Sequence, residues 1–339
     1  MPLPFILAGA ALVAGGYGVK KGFDAKSDMD DAKNMNRAAK NIYDEAQVNL
    51  ENERQSTQNK MESLGLLKAN IYQETLKPFV DNFSKIKNID FKESDNTDDL
   101  LFSNEDKEEL YLLSTSVVNI TDAMSGGVTA IGAGGLAGLA AYGGVGFLGT
   151  ASTGTAIGTL SGAAATNATL AWLGGGSLAS GGLGMAGGTA VLGGIIAGPV
   201  LAVGGMMLAS KAEAARNDAY SNKLEAELAA EEMETAQVKT TAIGKSFDEI
   251  NDVLTQLNNV FTPLLTGFEN LVKNNTDYRT YSDVDKHGVY MVVSLAKTIK
   301  FIMDTKLLDQ EGSITAECIG ITTNKNELIT GINNELGKV

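Results

Sequence analysis

The sequence predicts an all-α protein, an elongated bundle of long antiparallel helices joined by a Gly/Ala-rich hydrophobic helical hairpin. Three observations lead to this prediction. Apolar residues recur at helical spacing along two long charged segments. Between these segments lies a stretch of 88 residues, 123–210, without one charged side chain. No series of alternating strands is present, and the Ile/Thr cluster at 315–322 is the best strand candidate.

The charge pattern divides the 339-residue chain into four segments. Residues 1–22 are predicted as an apolar N-terminal helix, 23–122 as a helical arm, 123–210 as the glycine-rich hydrophobic hairpin, and 211–339 as a second arm with C-terminal helices. In the first segment Lys20 and Lys21 follow the apolar run, whereas a signal peptide carries its positive charges before it. We therefore expect a retained helix that anchors the chain or packs against the hairpin.

The first arm shows a helical stripe over residues 24–77. Its apolar members are Met29, Ala32, Met35, Ala39, Ile42, Ala46, Leu50, Met61, Leu64, Leu67 and Ile71. Pro78 has no backbone N–H, so we expect the helix to end there. Ser103 is predicted to cap the next helix, with Asp106 three residues later as the reciprocal partner of a capping box.

The second arm is predicted as a long helix over residues 210–262, rich in strong helix formers. Pro263 is expected to kink or end it, and Ser282 or Asp283 to cap a further helix. The buried face of that helix is predicted as Val289, Val292, Val293, Leu295, Ala296, Ile299, Ile302 and Met303. One more short helix is expected near 324–336. The two long arms are predicted to lie antiparallel, because a hairpin with an even number of crossings returns the chain to the side it left.

Composition excludes several function classes. The net charge of −14 argues against nucleic acid, whose phosphates need a basic surface. One histidine, His287, and one cysteine, Cys318, are too few for a His/Cys metal site. We interpret His287 as an exposed surface histidine and Cys318 as a small buried apolar residue. We expect no enzyme, no catalytic residues and no metal.

The charge-free segment holds 26 of the 39 glycines, many at helical spacing. The glycines that this pattern places on shared helix faces are Gly134, Gly138, Gly154, Gly158, Gly162, Gly184, Gly188, Gly194 and Gly198. Such glycine zippers let helices approach closely in lipid. Trp172 lies near the polar midpoint, as an interfacial or a core residue. A match to a dinucleotide fingerprint near Gly184 lacks the acidic residue about 20 positions on, so no cofactor is predicted.

Residues 165–199, ATNATLAWLGGGSLASGGLGMAGGTAVLGGIIAGP, resemble a segment of bacterial glycine-zipper helical proteins of similar size. Those proteins also begin with an apolar run ending in Lys-Lys-Gly, as at residues 20–22, and carry a late region similar to 262–315. This resemblance implies no activity. The order of long helix, apolar insert and long helix is similar in layout to α-helical pore-forming toxins of the haemolysin E type and to colicin hairpins.

These patterns favour a membrane-inserting, oligomerising helical protein, a pore-forming or membrane-disrupting effector. Its partners would be the lipid bilayer and further copies of itself or another helical protein, and it would reach the membrane from a soluble cytoplasmic or secreted form. One alternative is a membrane-anchored coiled-coil scaffold or stress/defence component without pore activity. A second is a soluble helical binding protein that buries the hairpin.

Overall fold

The computed structural model describes residues 19–92, 102–124, 136, 138–141, 143, 212–309 and 313–336. The helices, in chain order, are α1 (Val19–Ile71), α2 (Lys77–Phe83), α3 (Asn104–Ala123), α4 (Ala212–Asn274), α5 (Asp283–Asp304), α6 (Ala316–Thr323) and α7 (Lys325–Leu336). A π-helical turn, Tyr72–Leu76, lies between α1 and α2, and a 3-10 turn, Tyr278–Thr280, precedes α5. Strands β1 (Phe91–Lys92) and β2 (Phe102–Ser103) pair in parallel over two residues each. The all-α class is confirmed.

The first compact unit comprises Met1–Arg54 and Ile196–Lys239, of which the structure describes a pair made by α1 and α4. Asn222 Nδ2 donates a hydrogen bond to Asn36 Oδ1 at 3.0 Å. Further along both helices an apolar cluster forms from four buried side chains, Ala46, Leu50, Ala230 and Met233. Residue numbers rise together along the two helices, so α1 and α4 run parallel here.

The second unit comprises Gln55–Ile195 and Thr240–Val339 and contains the large apolar core. Four side-chain contacts join residues 57–82 to α4: Thr57 with Thr240, Lys60 with Asp248, Thr75 with Asn258, and Asn82 with Glu269. Numbers again rise together, so the two chain segments are parallel in this unit too. The prediction of antiparallel arms is therefore wrong.

The chain reverses direction in α3, before the charge-free segment begins. Phe102, just before α3, packs on Tyr278, just beyond the end of α4, with ring centroids 6.1 Å apart. At the other end of α3, the Met124 carbonyl accepts a hydrogen bond from Gln73 Nε2 at 3.2 Å. The antiparallel neighbour of the first long helix is thus α3. The prediction failed because it treated residues 23–122 as one arm with one direction.

Helical structure continues through both prolines. Pro78 lies in the first turn of α2, directly after the π-helical turn, in which the Lys77 N–H bonds back to the Tyr72 carbonyl. The wider π turn makes room for a ring that would clash in an unbroken α-helix. Pro263 lies inside α4, which continues to Asn274. On either side of that proline, Phe261 and Phe268 pack around the Phe79 ring, with centroids about 6 Å away, and this burial favours continuous helix.

The capping predictions are confirmed. Ser103 and Asp106 form a reciprocal capping box at the start of α3. Ser282 and Asp285 form another at the start of α5. The predicted buried face of α5 is buried throughout, and the short C-terminal helix is α7.

The best strand candidate of the sequence, 315–322, is helical and forms α6, in agreement with the all-α prediction. The Thr315 hydroxyl accepts a hydrogen bond from the Cys318 N–H at 3.2 Å and so caps the helix. The local cap and burial of Cys318 outweigh the strand preference of the Ile and Thr residues.

Candidate functional site

A fully buried lysine contacts part of the charge-free segment, at residues 139 and 140. Lys68 of α1 has no exposed surface, although lysine is almost never fully buried unless it is paired. Its Nζ donates to three backbone carbonyls, those of Leu139 at 3.3 Å, Ala140 at 2.9 Å and Met303 at 3.1 Å. We call the helical residues 136, 138–141 and 143 the docked turn.

The three carbonyls that accept from Lys68 include one at the end of a helix, a position that favours a cation. Met303 is in the last turn of α5, where backbone carbonyls have no partner within the helix and the helix dipole is negative. Leu139 and Ala140 belong to the docked turn. Lys68 therefore joins three segments of the chain, α1, the docked turn and the end of α5.

The half-buried carboxylate of Asp304 completes the arrangement. Tyr72, one turn after Lys68, donates from its hydroxyl to Asp304 Oδ1 at 3.1 Å. Lys300 forms an ion pair with the other oxygen of the same carboxylate. We call Lys68, Tyr72 and Asp304 together the Lys68 clamp.

The pKa values of two clamp side chains, Lys68 and Tyr72, differ from their ordinary values. Burial lowers the pKa of Lys68 from 10.5 to about 7, while the negative charge of Asp304 opposes this shift. Burial, with Asp304 close by, raises the pKa of Tyr72 well above its ordinary value. Three carbonyl acceptors match the three N–H groups of an ammonium, whereas a neutral amine supplies two.

Two glycines allow the close approach of the docked turn. A Cβ added to Gly65 of α1 would lie 2.1 Å from the Leu136 carbonyl oxygen, so only glycine fits there. Gly143 has φ +67°, and its Cβ would lie 2.5 Å from the Met303 oxygen. The Leu307 N–H also donates to the Ala141 carbonyl at 2.8 Å. The docked turn is thus held by backbone contacts on several sides.

Of the residues predicted for helix packing, the structure describes Gly138, which is helical and buried in the docked turn. The others lie outside the described residues: Gly134, Gly154, Gly158, Gly162, Trp172, Gly184, Gly188, Gly194 and Gly198. The sequence analysis missed Lys68. Its spacing of four residues from both Leu64 and Tyr72 places it on the same buried helix face, and this spacing could have indicated its burial.

The two rare residue types have different outcomes. Cys318 is buried, as predicted, and burial raises the pKa of its thiol to about 11. His287 was predicted to be exposed, but it is half-buried and its Nε2 is buried without a hydrogen-bond partner. His287 is half-buried because it lies in the first turns of α5, a helix that packs on the core.

Comparisons with known proteins add no relatives: no family model matches the chain, and no curated protein or solved structure shows significant similarity to it. Among the helices that the structure describes, none contains a stretch both long and apolar enough to cross a membrane.

Proposed function

We propose that this chain inserts its charge-free segment into a lipid bilayer and assembles there as a pore-forming or membrane-disrupting protein. One observation carries the proposal: 88 consecutive residues without a charge, 26 of them glycine, between two charged helical arms. Each mid-helix glycine is about 1 kcal/mol worse than alanine in water. In lipid, glycine instead permits close helix packing, and every backbone group must be hydrogen bonded.

The Lys68 clamp supports the proposal by giving the segment a defined starting point. The docked turn rests on α1 and on the end of α5 through backbone carbonyls, without a charged side chain of its own. In this scheme the helical body holds the beginning of the segment while the remainder enters the bilayer.

The test is dye release from vesicles of neutral phosphatidylcholine. We expect the full chain to release dye and Gly158→Leu to abolish release without loss of helicity. Gly331→Leu is the matched control, because a Cβ at Gly331 meets nothing within 4 Å; it should release dye like the unmodified chain. The proposal would be refuted if the full chain neither binds vesicles nor releases dye between pH 4 and pH 8.

A second candidate is a membrane-anchored helical scaffold without pore activity. The observation that favours it is the parallel pairing of α1 and α4, an arrangement typical of coiled-coil assemblies. Stable vesicle binding without dye release would select this candidate over a pore.

A further inference from the structure

Helix α4 carries an apolar stripe that the first unit leaves exposed. Tyr220, Leu224 and Leu228 follow one another at intervals of four residues, so they lie on one helix face. Their exposed fractions are 65%, 49% and 53%. Large apolar side chains grouped in this way on a surface mark an interaction site.

Among the residues whose burial is described, the seam between α1 and α4 in the first unit is lined mainly by small side chains. Its buried members are mostly alanines, among them Ala32, Ala39, Ala219 and Ala226. A buried methyl-sized group contributes only about 0.8 kcal/mol, and isolated helix pairs with little apolar burial are marginal. A partner on the exposed stripe would add apolar burial to this part of α4.

Charge identifies the partner. Residues 33–40 of α1 include three basic side chains and no acidic one, whereas residues 224–234 of α4 include five glutamates and no basic residue. Lys33 and Arg37 are exposed. At 100° per residue they lie about 120–160° around α1 from the alanine seam. Lys223, just before this window, forms an ion pair with Glu227, and the other four glutamates leave the exposed side of α4 acidic. The exposed faces of α1 and α4 are therefore complementary in charge, and both belong to this chain.

The register of the pair brings these faces to the same level. The bond between Asn36 and Asn222 places Tyr220 level with the turn around Lys33, and Leu224 level with Arg37. A neighbouring copy placed alongside without sliding would present the aliphatic stems of its basic residues to the apolar stripe. Its cations would then lie close to the Tyr220 ring and to Glu227.

We propose that the α4 stripe of one copy, Tyr220, Leu224 and Leu228, docks on the Lys33–Arg37 face of α1 in a second copy of this chain. The contact joins two different faces, so it continues from copy to copy and produces a ring or an open chain. It deepens the proposed function and rests on it, because it supplies the contact by which membrane-bound copies assemble.

Cysteine pairing between copies tests the contact. Full chains carrying Tyr220→Cys or Lys33→Cys are oxidised alone and as an equal mixture, in buffer and on neutral phosphatidylcholine vesicles. We expect disulfide-linked dimers in the mixture and few in either variant alone. The unmodified chain is the control, because its Cys318 is buried.

Three results would overturn the proposal. Dimers formed mainly by Tyr220→Cys alone would show a symmetric contact instead. No dimer under either condition would show that the faces do not meet. Failure of a maleimide to label Tyr220→Cys in the isolated chain would show that another segment of the same chain covers the stripe.

A charge exchange provides an independent measurement. Arg37→Glu and Glu227→Lys should each lower the dimer yield of the cysteine mixture about tenfold, and the two changes in every copy should restore most of it. Glu232→Lys, elsewhere on α4, is the matched control and should have little effect. If the dimer yield of the double variant is no higher than that of the single variants, the proposed pairing of Arg37 with Glu227 is wrong.

The two proposals can be told apart. Dye release without cross-linking would reject this contact alone, and cross-linking without dye release would reject the pore alone.

Discussion

Replacing Lys68 with methionine keeps a side chain of similar length in the core and removes three hydrogen bonds. Its effect depends on pH because burial lowers the pKa of Lys68 from 10.5 to about 7. The unfolded chain holds this proton up to about pH 10.5, and the folded chain only up to about pH 7. The unfolded state therefore binds more protons within that window, and the unmodified chain gains stability as pH rises through it.

The magnitude follows from the width of the window. Between pH 7 and pH 9 this one group adds about 2 kcal/mol to the free energy of unfolding. Methionine has no such dependence. Near pH 7 two effects oppose each other, since the substitution removes a buried cation but leaves carbonyls without a donor, each at about 1–3 kcal/mol. The change with pH is therefore a sharper observable than the difference at a single pH.

The assay is urea unfolding of the full chain, followed by circular dichroism at pH 7 and pH 9. We expect the deficit of Lys68→Met relative to the unmodified chain to grow by about 2 kcal/mol between these values. Lys245→Met, at a side chain that is 74% exposed, is the matched control and should leave the pH dependence unchanged. Equal pH dependence in Lys68→Met and the unmodified chain would refute the assignment of Lys68 as a buried, readily deprotonated group.

Three further predictions concern packing, capping and lipid charge. Gly65→Ala should lower the urea midpoint by the equivalent of about 1–3 kcal/mol, because its Cβ meets the Leu136 carbonyl; exposed Gly331→Ala should raise it by up to about 1 kcal/mol, and equal shifts would contradict the close approach. Ser103→Ala should destabilise the chain by about 1 kcal/mol through loss of the α3 cap, measured in the same way, and no loss would count against the capping box. Dye release should be at least as fast from neutral as from anionic vesicles, because the net charge is −14; a requirement for anionic lipid would argue against insertion by apolar burial.

The features predictable from sequence were those decided within a few residues. The capping box at Ser103 depends on Asp106 three positions away, and the buried face of α5 depends on periodicity within one helix. Both are local patterns with a direct physical cause, and both are present in the structure.

What could not be predicted depends on contacts between distant residues. The parallel direction of the arms follows from the reversal in α3, which a helical stripe does not encode. Continuation through Pro263 depends on aromatic packing against Phe79, nearly two hundred positions earlier in the chain. Lys68 was overlooked because lysine is normally exposed, and its partners are carbonyls, which carry no sequence signal.

The π-helical turn at Tyr72–Leu76 makes this part of the chain sensitive to deletion. Each residue in a helix accounts for about 100° of rotation. The wider turn absorbs the rotation of one extra residue, so the buried Phe79 and Val80 of α2 stay in phase with the clamp residues on α1. Loss of one residue here would restore a regular α-helix and bring the Pro78 ring against the preceding turn, where it clashes with a backbone carbonyl. Length variation between homologous chains should therefore be found in the loops and be absent from this turn.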